Sequence, residues 1–207
     1  MAALLTNVRN TMIAGFVLAL VILIAVGGFS IFSMLGGGLF WSYLFRWLHV
    51  VFGVLWIGLL YYFNLVQMPM MPKIPDDQKP AITKFIAVEA LWYFRWAAMA
   101  TIVTGVIMAW LNGYLLDAIT IGATQSFARS ITLIGIGMWL GAIMWFNVWF
   151  VIWPNQQRAL NIDNKYPDLT KDQRAAAGRT AMLFSRTNFL LSIPMLLCMV
   201  SYSHFPG

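Results

Sequence analysis

The sequence predicts an all-α fold, a polytopic membrane bundle of about five transmembrane helices. Of its 207 residues, 61% are hydrophobic and only 10% are charged, and the mean hydropathy is +0.77. That composition is too apolar for a soluble domain, and several uncharged runs reach the length of about 20 residues that a membrane span needs. We therefore expect residues 1–207 to form a single integral membrane domain.

The boundaries of the spans follow from charges, glycines and prolines. Pro69 and Pro72 should end the second helix and Pro154 the fourth, because proline has no N–H for the helical ladder. Asn112-Gly113 looks like the C-terminal cap of the third helix. The predicted spans are residues 11–35, 41–66, 84–111, 130–153 and 177–202.

The basic residues predict how the chain is oriented. With the N-terminus inside, only Arg46 and Arg129 fall on outer segments, and the C-terminus lies outside. The net charge of +6 then reflects topology and gives no indication of nucleic-acid binding. The single cysteine, Cys198, excludes an internal disulfide and a CxxCH haem attachment site. The nine basic residues on the inner segments are Arg9, Lys73, Lys79, Lys84, Arg158, Lys165, Lys171, Arg174 and Arg179.

The two histidines of the chain, His49 and His204, are the candidate metal ligands. In this topology both lie toward the outer side, His49 near the start of the second span and His204 at the end of the fifth. An ionisable side chain inside a span is costly and usually has a partner or a role. Two imidazoles from facing helices are a common way for a helical bundle to hold a b-type haem. We therefore predict haem b bound through His49 and His204.

Other residues bear on that site. Arg46, one helical turn before His49, and Arg129, at the start of the fourth span, are candidates to pair with haem propionates. Because His204 lies nearer the surface than His49, Met195, Met199 or no protein group at all is an alternative second ligand. Further alternatives are that His49 only bonds a carbonyl or a serine of another helix, with His204 solvated, or that the site holds another metal or a quinone.

A second group of polar residues is expected toward the inner side of the membrane. It would bind an anionic substrate or a lipid headgroup, or relay protons. The alternative is structural, since arginines near a span end extend to the interface and asparagines bridge helices. The members of this predicted inner polar cluster are Glu89, Arg95, Asn147, Arg186 and Asn188.

Four stretches resemble the membrane-bound urate oxidase family (urate hydroxylase, PuuD-type), in the same order. The resemblance spans about residues 41–206, without the cytochrome c domain that usually follows in that family. A shorter pattern at His49, Trp56, Gly58 and Tyr61 resembles the first span of HemJ-type haem-binding membrane proteins. The four stretches are RWLHVVFGVLWIGLLYYFN (46–64), LWYFRWAAMATIVTG (91–105), NVWFVIWPNQQ (147–157) and SRTNFLLSIPMLLCMVSYSHFP (185–206).

The resemblance implies a multi-pass protein of the bacterial inner (cytoplasmic) membrane. We expect a possible membrane oxidoreductase that moves electrons between a reduced substrate or quinol and a cytochrome c or a larger respiratory complex. Because this chain has no CxxCH, urate oxidation itself does not follow from the likeness, and no catalytic residue is assigned. The alternative is a haem-free accessory subunit of a larger membrane complex, surrounded by the lipid bilayer.

Overall fold

The structure is a computed structural model that describes residues 5–28 and 36–204. The chain divides into two units, Met1–Leu44 and Phe45–Gly207. Five of the described helices are long and apolar enough to cross a membrane, which confirms the predicted fold class. The predicted orientation of the termini stays a prediction.

The first unit holds helix α1, Val8–Gly27. The side-chain oxygen of Asn7 caps it by accepting from the backbone N–H groups of Arg9 at 3.0 Å and Asn10 at 3.3 Å. The helix ends at Gly28, whose φ of +65° favours glycine. The sequence predicted a span over residues 11–35, but residues 29–35 lie outside the described part of the chain.

Four further helices are each longer than the hydrocarbon core requires. Helix α2 begins in the first unit and continues into the second. Helix α3 begins at Lys79, five residues before the predicted span, with Pro80 in its first turn, and it ends at Leu111 as predicted, where Asn112 is the C-cap. The connection from α3 to α4 contains a short connecting helix, Leu115–Ile119. The helices are α2 (Gly38–Lys73), α3 (Lys79–Leu111), α4 (Arg129–Leu160) and α5 (Lys171–His204).

The prolines do not end α2 and α4 where the sequence predicted. Both helices widen into a π-helical segment of six residues, Tyr62–Gln67 in α2 and Asn147–Ile152 in α4. Each proline that follows, Pro69 or Pro154, lies in the first turn of the next α-helical segment. Proline is tolerated there because the N–H it lacks is not needed. The helices therefore continue to Lys73 and Leu160.

The main core of the second unit lies where α2, α3 and α4 pack together with α5. Large side chains with almost no exposure fill it, and Phe63 packs edge-to-face on Phe94 with ring centroids 5.7 Å apart. A smaller cluster gathers around Tyr114 and the connecting helix. The largest fully buried side chains of the main core are Trp56, Leu60, Phe94, Met144 and Val148.

Candidate functional site

His49 has a defined partner on the neighbouring helix. Its Nδ1 lies 2.9 Å from the backbone oxygen of Thr101 on α3. The imidazole lies directly over Gly105, where a Cβ would come within 2.9 Å of His49 Cε1 and 3.0 Å of Nδ1. A turn farther along α2, Gly53 faces the side chain of Thr101. Small residues on both helices therefore let α2 and α3 approach closely enough for this hydrogen bond.

This bond determines what the His49 ring can do. A carbonyl oxygen only accepts, so Nδ1 is the donor and carries the proton. The other ring nitrogen, Nε2, then has its lone pair available, and it has no hydrogen-bond partner among the described residues. A histidine that donates from one nitrogen to a backbone carbonyl is in the form that binds a metal through the other.

His204 lies in a different environment. It is the last residue of α5, is exposed, and its Nδ1 lies 3.4 Å from the carbonyl oxygen of Val200 in the same helix. Tyr202 packs against Tyr114, beyond the end of α3, with ring centroids 5.0 Å apart. Gly105, under His49, lies six residues before that end, or about 9 Å at 1.5 Å per residue. His204 would have to reach inward by about two turns to share an iron with His49.

The two arginines that the sequence predicts on the outer side remain available for an acidic group. Arg46 and Arg129 are both exposed, and Arg129 begins α4. Arg46 lies near enough to the Tyr114 hydroxyl to influence its ionisation. Burial, and next the neighbouring Tyr202, nevertheless raise the pKa of Tyr114 to about 12. The end of the second unit that holds Arg46 therefore also holds a tyrosine that stays protonated at neutral pH.

The asparagines of the predicted inner polar cluster do come together. Asn147 Nδ2 donates to Asn188 Oδ1 at 2.8 Å, and Asn188 Nδ2 donates to the carbonyl oxygen of Met144 at 2.9 Å. Asn188 is completely buried. Their amides bridge α4 and α5 at the start of the π-helical segment, as the structural alternative predicted.

Arg95 does not join the asparagines. Its guanidinium carbon lies 3.9 Å from the ring centroid of Trp153, 5.1 Å from that of Trp149 and 5.8 Å from that of Trp96. Cation–π contacts of this kind stabilise a desolvated arginine. Its Nε is buried without a hydrogen-bond partner, and so is Nε1 of Trp149. Arg95 is therefore held by indole rings.

The remaining two members, Arg186 and Glu89, are exposed. Arg186 lines an open groove of about 480 Å³ together with Asn64 and three apolar residues of α5. Glu89 makes no hydrogen bond or ion pair in the described part of the chain. The predicted cluster is therefore divided among an asparagine bridge, a tryptophan-bound arginine and two exposed side chains.

Several residues of these sites were not found by sequence reasoning. Thr101 and Gly105 hold His49, and Asn64 donates to Ser185 Oγ at 3.0 Å, linking α2 to α5. The hydroxyls of Ser192 and Tyr61 are hydrogen-bonded at 3.2 Å across the same pair of helices. The feature of the sequence that could have identified Gly105 is that it is a small residue inside a predicted span, where two helices can approach closely. The choice of which carbonyl His49 would meet depends on helix packing, which a single sequence does not specify.

A haem needs fewer protein ligands than an isolated metal ion such as zinc. Among the described residues there is no group of three or more His, Cys, Asp or Glu side chains placed to hold a metal. Haem iron needs only one or two protein ligands. His49 fits that role through Nε2, while His204 would have to move to supply the second ligand.

Residues 105–207 match the model of a family described as urate oxidase N-terminal. The match includes two of the four stretches that suggested the membrane urate oxidases, residues 147–157 and 185–206, together with Arg129 and His204. It begins after His49 and Arg46, and the likeness to haem-binding HemJ-type proteins receives no support. No curated protein and no solved structure matches the chain. The match indicates an oxidoreductase-like, multi-pass membrane protein, and residues 105–207 of the chain are similar to the urate oxidase N-terminal family.

Proposed function

We propose that this chain is a haem b protein of the bacterial inner membrane. It would transfer electrons between a reduced substrate or quinol and a cytochrome or respiratory complex. The observation that supports the proposal is the hydrogen bond from His49 Nδ1 to the Thr101 carbonyl, 2.9 Å long. That bond fixes the ring and leaves Nε2 as a ligand atom. The family match supports an oxidoreductase-like protein.

Each residue has a stated part in this proposal. His49 supplies the iron ligand, and Thr101 orients it and increases the basicity of Nε2 by accepting its N–H. Arg46 and Arg129, both exposed, supply positive charge for the propionates. His204 supplies the second ligand if the end of α5 moves inward. The haem, when bound, supplies one-electron redox chemistry.

The rival function is a haem-free accessory subunit of a larger membrane complex. The same hydrogen bond favours it, because a histidine that donates to a carbonyl on a neighbouring helix also holds the two helices together.

A dithionite-reduced minus oxidised absorption spectrum of the purified full-length protein separates these two functions. We expect a b-type α band that is lost in His49→Ala. His204→Ala tests the second ligand, and Asn112→Ala, at an exposed helix end, serves as a control that keeps the band. A well-folded preparation without haem contradicts the proposal and leaves the accessory subunit as the function to test by co-purification.

A further inference from the structure

A second cavity is lined by Ser185, whose hydrogen-bond partner Asn64 lines the Arg186 groove. Its volume is about 160 Å³, and residues of α2, α3, α4 and α5 line it. The polar part of the lining consists of Gln67, Thr83, Gln156 and Ser185, and none of the lining residues carries a charge. Because a charged ligand out of water needs an opposite charge, this cavity suits a neutral one.

The polar side chains of the cavity have hydrogen-bonding capacity that the protein does not use. Gln67 Oε1 is buried without a hydrogen-bond partner, which is unfavourable unless a ligand supplies one. Gln156 makes no side-chain hydrogen bond to any described residue. Ser185 Oγ accepts from Asn64, which leaves its own hydrogen free to donate. The cavity therefore offers both an acceptor and donors to a ligand.

The backbone around the cavity is also unusual. All three π-helical segments of the described chain contribute to the lining: Tyr62–Gln67 through Phe63 and Gln67, Ile82–Ile86 through Thr83, and Asn147–Ile152 through Ile152. A π-helical turn is less favourable than an α-helical one and occurs frequently at functional sites. Three such turns around one cavity point to a ligand independently of the unpaired amide.

The walls indicate a flat ring. The apolar part of the lining includes the rings of Phe63 and Phe94 and the flexible side chains of Met68 and Met71. Its other members are Ala87, Leu91, Ile152 and Leu160. The volume is below the 300–1,000 Å³ or so of sites for drug-sized ligands, so a single substituted ring is the right size. The ring must also carry polar atoms at its edge for Gln67 and Ser185.

We infer that this cavity binds the ring of a quinone or hydroquinone. A hydroquinone hydroxyl donates to Gln67 Oε1, and a quinone carbonyl accepts from the Ser185 hydroxyl or the Gln156 amide. Binding depends only on the cavity, whereas the role of this ring as the electron donor rests on the proposed function. The ring could come from a tailed quinone of the bilayer or from a soluble compound, since both present the same edge atoms.

Photo-crosslinking tests the inference on the full-length protein in phosphatidylcholine nanodiscs. The probe is an azido-benzoquinone with a decyl tail, and the labelled peptides are mapped by mass spectrometry. We expect saturable labelling of peptides that contain Phe63–Met71 or Gln156, displaced by unlabelled decyl-benzoquinone. Gln67→Leu and Gln156→Leu should each weaken that displacement about tenfold, the loss of one hydrogen bond of about 1.4 kcal/mol.

The matched control is Gln157→Leu, next to Gln156 but outside the cavity lining. It should leave the labelling unchanged, and unfolding curves identify any variant that fails to fold. A cavity-filling variant, Ala87→Leu, should abolish labelling without removing a polar group. A tail-less dimethoxy-methyl-benzoquinone is the second competitor. If it displaces the probe as effectively as the decyl compound, the ligand is a soluble ring compound. If only the decyl compound displaces the probe, the ligand is a tailed quinone of the bilayer.

Non-saturable labelling, labelling elsewhere, or equal affinities in Gln67→Leu and Gln157→Leu would overturn the inference. The absorption spectrum of the same preparation separates this result from the proposed function. A protein with a b-type band but no quinone binding contradicts the cavity assignment alone. A protein that binds quinone without a haem band contradicts the haem proposal alone.

Discussion

The imidazole of His49 lies against the backbone of Gly105, and its Nδ1 donates to the carbonyl oxygen of Thr101 one turn earlier on the same helix. A glycine is required at this position for steric reasons, since a Cβ would come within 2.9 Å of the ring. Gly105 is thus a positioning residue for His49, because it allows the hydrogen bond that leaves Nε2 available.

Gly105→Ala should displace His49 and lengthen or break its bond to Thr101. Gly58→Ala is the matched control, because a Cβ there meets nothing within 4 Å. Both substitutions gain the helix propensity of alanine, about 0.5–1 kcal/mol. We expect Gly105→Ala to be less stable than Gly58→Ala by about 1–2 kcal/mol, the value of a partly buried hydrogen bond. Denaturant unfolding in one detergent measures the difference, and equal stabilities would contradict this packing.

The asparagine bridge between α4 and α5 should contribute measurably to stability. Asn188→Ala removes the bond to Asn147 and the bond to the Met144 carbonyl and leaves a small buried space. We expect a loss of about 2–3 kcal/mol. A double-mutant cycle with Asn147→Ala should give a coupling energy of at least about 0.5 kcal/mol. Thr187→Ala, at an exposed position beside Asn188, controls for the loss of a polar side chain, and purely additive effects would exclude the bridge.

Arg95→Lys should be destabilising although it keeps the charge. The planar guanidinium lies 3.9 Å from the centroid of Trp153, and a lysine ammonium cannot stack in this way. The expected loss is about 0.5–2 kcal/mol. Arg186→Lys is the matched control, because Arg186 is exposed at the groove, and it should change stability by less than about 0.5 kcal/mol. Similar losses in both variants would show that the tryptophan contacts do not stabilise Arg95.

The sequence was sufficient for the fold class and for the number of long apolar helices, because apolar length and the places of charged residues determine them. It failed at Pro69 and Pro154, since the rule that proline ends a helix assumes a regular α-helical ladder. The π-helical segments ahead of both prolines place them in the first turn of a new α-helical segment. No residue pattern in one sequence indicates such a segment.

For the site, the sequence identified His49 but left its partner open among several alternatives. The partner is a backbone carbonyl, which every residue has, so only the packing of α2 on α3 selects Thr101. The inner polar cluster failed for a related reason. The sequence predicts Arg95 and Asn147 at comparable depths, but depth alone does not say which face of a helix a side chain occupies. Arg95 faces the tryptophans and Asn147 faces α5.

Alkaline pH should destabilise the second unit through Tyr114, which lies between α3 and the connecting helix. Burial raises its pKa to about 12 from an ordinary value of about 10. Between those values the unfolded chain has lost the phenolic proton and the folded protein still binds it, so stability falls as pH rises from about 10 to about 12. Below about pH 10 the group is protonated in both states and contributes no pH dependence.

Tyr114→Phe should therefore reduce the loss of stability above about pH 10 and leave the stability at lower pH unchanged in its pH dependence. The measurement is the unfolding midpoint of both proteins from neutral pH to about pH 11. At that upper limit the protonation of Tyr114 still differs between the folded and the unfolded protein. Tyr43→Phe, at an exposed position, is the control and should keep the decline. If the midpoint of Tyr114→Phe falls as steeply as that of the unchanged protein, Tyr114 ionises without cost and is not buried against Tyr202.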